Sequence, residues 1–144
     1  MADVLCAWCG TTIGQSSLAH SHGICRACSR VLRGVPDLSL AELDELPFGI
    51  IVLSEEGTVL AYNHAEEALS GRHAGEVIGR NFFTEVAPCT SVQTFYGEFQ
   101  AFCQGTEPSR TFQFTFRFEA GPIRVQIAFL RKEAGGIVAV RKLS

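Results

Sequence analysis

Six cysteines are the residues of this sequence best suited to chemistry, and four of them form two CxxC pairs. The pairs are Cys6-Ala-Trp-Cys9 and Cys25-Arg-Ala-Cys28, separated by residues 10–24. Zinc prefers four thiolate or imidazole ligands at tetrahedral angles, and two CxxC pairs about 15–20 residues apart are typical of a zinc site. The spacing therefore predicts that Cys6, Cys9, Cys25 and Cys28 bind one zinc ion.

Other interpretations of these four cysteines remain open. A CxxC can be a redox dithiol, although a redox motif does not need a matching second pair, and the cysteines could also be ordinary buried residues. His20 or His22 could replace one thiolate, although four cysteines already complete a structural site and leave no open position for a substrate. A module this small buries too little apolar surface to fold alone, so zinc would be needed for its folding.

The two remaining cysteines differ in their setting. Cys103 lies on the apolar face of a predicted helix and is expected to be a small core residue. Cys89 lies in the irregular segment Val86-Ala-Pro-Cys-Thr90, directly before that helix, where the helix dipole favours a thiolate that can react with acyl donors. A cysteine in a loop often has no such role, so its position alone does not assign a function.

Polar side chains between residues 62 and 72 could contact a ligand held at Cys89. Tyr62 and Glu66 flank the first turn of a short predicted helix and could direct two O–H groups at one acceptor. Glu66 also occupies the third helical position after Asn63, where a capping box explains it without any ligand. By default, Arg72 is a solvated charge and Ser70 a hydroxyl at the helix end.

The elements that would position these residues follow an α+β pattern. Two strands come first, then short helices and irregular segments, then a longer helix and three more strands. Alternating phenylalanines in the third strand predict that one of its faces is apolar. Five antiparallel strands with the helices on one face of the sheet make an α+β domain. The predicted strands are 47–54, 58–62, 111–118, 123–129 and 137–140, and the predicted helices are 40–46, 64–70 and 91–104.

Composition supports a folded protein of two parts. Residues 1–36 contain the paired cysteines and little periodic apolar pattern, whereas residues 37–144 have the pattern of a regular domain. Apolar residues make up 47% of the chain, which predicts a packed core. A net charge of −3 argues against a nucleic-acid partner, and no apolar run suggests a signal peptide or a membrane segment. We expect a soluble cytoplasmic protein.

Residues 37–144 resemble the photoactive yellow protein family, blue-light receptors with a PAS fold. The resemblance extends over essentially the whole predicted domain and implies a five-stranded antiparallel sheet. Several runs match in order and with the spacing of the family, which is more specific than any single motif. These runs are Leu60-Ala-Tyr-Asn-His-Ala-Glu66, Ser70-Gly-Arg72, Val77-Ile-Gly-Arg-Asn-Phe-Phe83, Val86-Ala-Pro-Cys-Thr90, Phe95-Tyr-Gly97 and Phe112-Gln-Phe-Thr-Phe116.

The resemblance implies a cofactor and a set of residues that bind it. The cofactor is p-coumaric acid, joined to Cys89 as a 4-hydroxycinnamyl thioester. Tyr62 and Glu66 would hydrogen-bond its phenolate oxygen, and Ser70 would support Tyr62. Trans-to-cis isomerisation and proton transfer from Glu66 would then produce a signalling state. The resemblance also implies that Arg72 would shield the pocket from solvent and that Phe116 would pack against the ring of the p-coumaroyl group.

Other functions remain as alternatives to light sensing. A PAS domain without chromophore could signal or dimerise through contacts made by the zinc module. A thiol enzyme or a redox sensor could use Cys89, but no histidine in a strand or loop clearly reaches this cysteine. Haem would need a histidine on the core helix, which offers none. We therefore expect a binding protein and not an enzyme, which signals to an unknown downstream protein and could form a homodimer.

Overall fold

Two sheets form the frame of the protein in the computed structural model. The first three strands are β1 (Ala2–Cys6), β2 (Thr12–Ser16) and β3 (His22–Gly23). The other five are β4 (Gly49–Ser54), β5 (Val59–Tyr62), β6 (Ser109–Phe118), β7 (Gly121–Lys132) and β8 (Gly135–Lys142). The structure describes residues 2–6, 8, 12–16, 22–23, 26–90, 93–107, 109–118, 121–133 and 135–143.

Short helices connect the strands. The α-helices are α1 (Arg26–Gly34), α2 (Leu40–Asp44), α3 (His64–Ser70), α4 (Ala74–Val77) and α5 (Glu98–Gln104). Turns of 3-10 helix occupy Val35–Asp37 and Pro88–Thr90, and π-helical turns occupy Phe82–Val86 and Gln93–Gly97. Among the described residues, every helix is too short or too polar to span a bilayer.

The five-stranded sheet confirms the α+β prediction. Its order is β5-β4-β8-β7-β6, and every neighbouring pair is antiparallel. The predicted strands overlap the observed ones, although β4 begins two residues and β5 one residue later than predicted, and β6, β7 and β8 extend further than the apolar pattern indicated. The extension follows from pairing, because the β7–β8 ladder continues through Arg131 and Lys132 to Gly135. Strand β5 is an edge, whereas β4, β8 and β7 are paired on both sides.

Both faces of this sheet are covered, so the prediction that the helices lie on one face is wrong for α2. Helix α1, which was not predicted, covers the same outer face. Strand β4 alternates between the faces, with Ile51 and Leu53 in an inner cluster that also contains side chains of α5. Its Ile50 lies in an outer cluster with Leu32 of α1 and Leu43 of α2. The apolar run in β4 is buried on both sides, and a sheet of this kind needs cover on both faces.

The N-terminal segment contributes part of the outer cover. Trp8 is 4% exposed and packs edge-on against Phe48, with 5.4 Å between the ring centroids. The guanidinium of Arg141 donates a hydrogen bond of 3.1 Å to the carbonyl oxygen of Trp8. The predicted capping box at the start of the sheet domain is also confirmed. The Ser39 hydroxyl oxygen accepts a hydrogen bond from the backbone N–H of Glu42, and the Glu42 carboxylate accepts one from the backbone N–H of Ser39. Trp8 is therefore anchored to the domain that begins after residue 36.

Candidate functional site

Asn63 fixes the start of α3 against the sheet. Its side-chain oxygen accepts hydrogen bonds from the backbone N–H of Glu66 and from that of Ile50, at 3.1 and 2.8 Å. Its amide nitrogen donates to the carbonyl oxygens of Leu43 and Phe48. Asn63 is 3% exposed, so these four bonds replace the water that a buried amide would otherwise need. The helix that carries Glu66 is thereby tied to α2 and β4.

Glu66 turns its carboxyl group into the protein instead of completing a capping box. Asn63 caps α3 as the sequence suggested, but the backbone N–H of Asn63 donates to Ile50 and not to Glu66. Glu66 is 2% exposed, and its Oε1 atom is buried without a hydrogen-bond partner. The capping interpretation of this side chain is therefore wrong, and its placement fits the interior role that the resemblance implied.

Burial raises the pKa of Glu66 from its ordinary value of 4.5 to about 8, and a hydrogen bond with Tyr62 opposes part of that rise. The hydroxyl of Tyr62 donates a hydrogen bond of 2.6 Å to Ser70 Oγ. One hydroxyl hydrogen cannot serve two acceptors at once. A protonated Glu66 resolves this conflict, because its own hydrogen can be donated to Tyr62 while Tyr62 donates to Ser70.

Tyr62 is also held in its neutral form. Burial and the nearby Glu66 raise the pKa of Tyr62, whereas the hydrogen bond with Ser70 and the charge of Arg72 lower it. The first two effects outweigh the others. At neutral pH the pair Tyr62–Glu66 therefore offers two neutral O–H groups in a nearly dry interior.

Cys89 opens onto a groove beside this pair. The groove has a volume of about 390 Å³, and Ser70, Arg72 and Cys89 line it together with Arg117 and Phe118. The sulfur-bearing side chain is half-buried and packs against the inner cluster. Ser70 lines the groove and accepts a hydrogen bond from the Tyr62 hydroxyl. Ser70 therefore connects the groove that contains Cys89 with the Tyr62–Glu66 pair. Arg72 is exposed and lines the same groove.

Phe116 lies inside a cluster of aromatic rings. It is 1% exposed and contacts Phe95, with 5.9 Å between centroids. It also stacks on Phe118, at 5.2 Å, and Phe118 in turn lines the groove. The alternating phenylalanines of β6 all face the inner cluster, as predicted. A flat ring entering from the groove would therefore meet an aromatic wall.

Sequence reasoning missed two residues of this region. Arg117 lines the groove, but its exposed position in an alternating strand gave no sign of a site. Gly49 lies against the Glu66 carboxyl, and a glycine at the start of an apolar run carries no signal that would reveal such a contact. Both are brought to the site by strand pairing and not by any local motif.

Two of the four predicted zinc ligands fall outside the described part of the chain. Cys6 ends β1, and Cys28 lies in α1, half-buried against the outer cluster. Cys9, Cys25 and His20 are not among the described residues, and His22 is described only as part of β3. Within the residues that were described, no group of three or more potential ligands meets at one point. The zinc site stays a prediction.

Comparison with known proteins agrees with the fold. The family model of the PAS fold matches residues 40–139. A photoactive yellow protein from Rhodothalassium salexigens is 39% identical over 99 residues, which is 69% of this chain and 79% of that protein. One from Halochromatium salexigens is 40% identical over 63% of this chain and 73% of its own length.

A solved structure extends the likeness to three dimensions. The photoactive yellow protein domain of the sensor histidine kinase Ppr from Rhodospirillum centenum superposes with a TM-score of 0.71 and 42% identity, over 76% of this chain and 99% of that domain. The fold and the sheet order define a PAS domain. The chain belongs to the PAS family and, within it, to the photoactive yellow proteins.

Proposed function

We propose that this protein is a blue-light photoreceptor whose chromophore is a p-coumaroyl group bound to Cys89 as a thioester. The main support is the unpartnered Oε1 atom of the buried Glu66. Buried polar side chains almost always have a hydrogen-bond partner, so an orphaned carboxyl oxygen suggests that a polar ligand completes this interior. Membership of a family of photoreceptors points the same way.

The residues present fit that group. Cys89 would carry the acyl carbon, and Tyr62 and Glu66 would donate hydrogen bonds to its phenolate oxygen, which is costly to bury without strong donors. Ser70 would orient Tyr62 through their hydrogen bond, with the Ser70 hydroxyl as the donor once the hydrogen of Tyr62 is directed at the phenolate. When bound, the group supplies a phenolate and a double bond that isomerises from trans to cis on absorbing light. Arg72 and Phe116 would close the groove and pack against the ring, respectively.

Glu66 holds the proton that such a receptor would move. Its pKa of about 8 keeps it protonated at neutral pH. Once its proton leaves, a carboxylate remains in an interior where it is poorly paired, which costs several kcal/mol. This free-energy cost would destabilise α3 and β4, the elements that enclose the carboxyl group. Loosening of this region would be the signalling state, and return of the proton to Glu66 would restore the dark state.

Loading of the purified chain tests the proposal. When the protein is mixed with activated p-coumaric acid, we expect an absorption band in the blue that bleaches under blue light and returns in the dark. Absorption spectroscopy before and after illumination measures both steps. A wild-type protein that takes up no chromophore would contradict the proposal and favour the alternative of a PAS signalling domain without chromophore.

We also propose that Cys6, Cys9, Cys25 and Cys28 bind a structural zinc ion, on the strength of their spacing. Elemental analysis of the purified protein is expected to find one zinc per chain, and Cys25→Ser is expected to remove most of it. Cys103→Ser is the matched control, because it changes a cysteine outside both pairs and should retain the metal. Equal zinc in the Cys25→Ser and Cys103→Ser proteins would exclude the four-cysteine site.

The response would pass to another protein or to a second copy of this chain. An unknown downstream signalling protein as partner and a homodimer are both proposals drawn from the sequence, as is a cytoplasmic location of this chain. The alternative function differs at this point, since a PAS domain without chromophore would use its N-terminal module for contacts that do not depend on light. A light-dependent change in molecular mass, measured by light scattering, would favour the photoreceptor.

A further inference from the structure

Three exposed apolar side chains line one hollow at the β5 edge of the five-stranded sheet. The hollow has a volume of about 140 Å³ and lies between α2, β5 and the residue that follows α4. Leu40, Leu60 and Ile78 line it, and they are 68%, 53% and 49% exposed. Among the residues that the structure describes, the only other large apolar side chain exposed to this degree is Val31, at 44%. Apolar side chains gathered in one exposed patch commonly mark a contact surface.

Helix α2, which forms one wall of this hollow, carries negative charge. Glu42 and Asp44 lie in the helix, Glu45 is its C-terminal cap, and the helix contains no basic residue. Glu42 and Glu45 are exposed, whereas Asp44 lines the hollow and lies 3.6 Å from the imidazole of His64. Arg80, which follows α4, lines a different hollow. The hollow is therefore apolar at its centre and acidic along α2.

Helix α1 carries a surface of the opposite charge. Its sequence, RACSRVLRG, contains three arginines and no acidic residue. Leu32 is 3% exposed and packs in the outer cluster, so this side chain fixes which side of α1 faces the sheet. Arg30, Val31 and Arg33 are exposed. The apolar Val31 is thus accompanied by two positive charges, which complement an apolar hollow with an acidic wall.

The two surfaces do not meet within one chain. Leu32 of α1 and Leu43 of α2 are buried in the same outer cluster, so α1 cannot reach the hollow of its own chain without unpacking. Within the part of the chain that the structure describes, Arg30, Arg33 and Glu45 take part in no ion pair. A second copy of the chain can bring its α1 to the hollow while both outer clusters stay intact.

We propose that two copies of this chain form a twofold dimer in which α1 of each copy docks into the hollow of the other. Each copy offers both surfaces, so the contact occurs twice and closes the assembly. Burial of the exposed apolar side chains stabilises the dimer, and the opposite charges fix its register and its choice of partner. The proposal assigns a surface to the homodimer considered above, and it rests on neither the chromophore nor light.

Sedimentation equilibrium of the full chain without chromophore tests the proposal. We expect one copy at low concentration and two at high concentration. Leu40→Ser should weaken the association by about tenfold or more, because it removes an exposed leucine from both contacts. Serine is well tolerated near a helix start, so the monomer should keep its fold, which circular dichroism checks. An unchanged dimer in Leu40→Ser would overturn the proposal.

Reversal of single charges tests which surfaces meet. Arg33→Glu and Glu45→Arg should each weaken self-association by about tenfold, since each brings like charges together in both contacts. An equal mixture of the two variants should dimerise as the wild type does, because each α1 then faces an α2 of opposite charge. Absence of association in the mixture would overturn the proposed docking.

Arg124→Glu is the matched control for Arg33→Glu. Arg124 is an exposed arginine of β7 that belongs to neither surface, and its reversal changes the net charge by the same amount. The Arg124→Glu protein should dimerise as the wild type does. Equal weakening in Arg124→Glu and Arg33→Glu would mean that net charge controls the association, against the proposal.

Two other results of sedimentation would also overturn the dimer. A chain that stays monomeric up to about 1 mM would leave the hollow to a different partner protein. A mass that keeps rising beyond two copies would exclude a closed twofold contact. Failure to bind p-coumaric acid would affect none of these measurements, and a monomeric protein that binds it would leave the proposed photoreceptor intact.

Discussion

Cys89→Ala is expected to leave the protein colourless after treatment with activated p-coumaric acid, with complete loss of the blue band. A thioester needs a sulfur atom at the acyl carbon, and alanine provides none. The groove, Tyr62 and Glu66 would remain in place, because Cys89 is half-buried at the edge of the inner cluster and its removal opens no large cavity. Absorption spectroscopy and intact mass measure the loss.

Cys103→Ala is the control for this experiment. Cys103 is also half-buried and also packs against the inner cluster, so the two substitutions remove the same group from similar surroundings. Burial and the nearby Glu55 raise the pKa of the Cys103 thiol, which makes it a poor nucleophile at neutral pH. The Cys103→Ala protein should load as the wild type does. Equal loading of Cys89→Ala would show that the acyl group is attached elsewhere.

Glu66→Gln is expected to remove a pH dependence from the stability of the protein. In the unfolded chain Glu66 ionises near 4.5, whereas in the folded protein it keeps its proton up to about 8. Its stabilising contribution is therefore complete below pH 4.5 and is lost as the pH rises towards 8. The slope is about 1.4 kcal/mol for each pH unit, the linkage value for one proton. Glutamine has the same shape and no such titration.

Urea unfolding of the two proteins at pH 5.5, 6.5 and 7.5, values inside the interval from 4.5 to about 8, measures this effect. The free energy of unfolding of the wild type should fall relative to that of Glu66→Gln at each step. Comparison of two proteins that differ only at residue 66 cancels every contribution that they share. Parallel curves with no divergence would mean that Glu66 is ionised in the folded protein, against the burial seen here.

The elements with strong local signals were predictable from the sequence. Helix α3 runs from His64 to Ser70 as expected, because Asn63 caps its start and Gly71, with a φ of 76°, ends it. The strands of the sheet follow from alternation and from apolar runs. The short helical turns between residues 74 and 90 were not predicted, since each is only a few residues long and is shaped by its packing.

The site was predictable only in part, because much of it depends on contacts distant in the sequence. Tyr62, Glu66 and Ser70 lie on adjoining elements, so local reasoning could place them together. The inward turn of the Glu66 side chain depends on Gly49, which is brought to it by sheet pairing. The cover on the outer face depends in part on Trp8, which packs against Phe48. No helical or strand periodicity in the sequence connects these two residues, so their contact could not be predicted.

The position of β8 has a consequence for how the protein is made. This strand, at residues 135–142, lies between β4 and β7 in the middle of the sheet, and Gly49 pairs with Val140. A nascent chain emerging from the ribosome therefore cannot complete its sheet until the last of these residues has been synthesised. Until then β4 lacks one of its two neighbours. The enclosure around Glu66 is thus assembled only after β8 has been synthesised, and the chromophore of the proposed function would be attached after that.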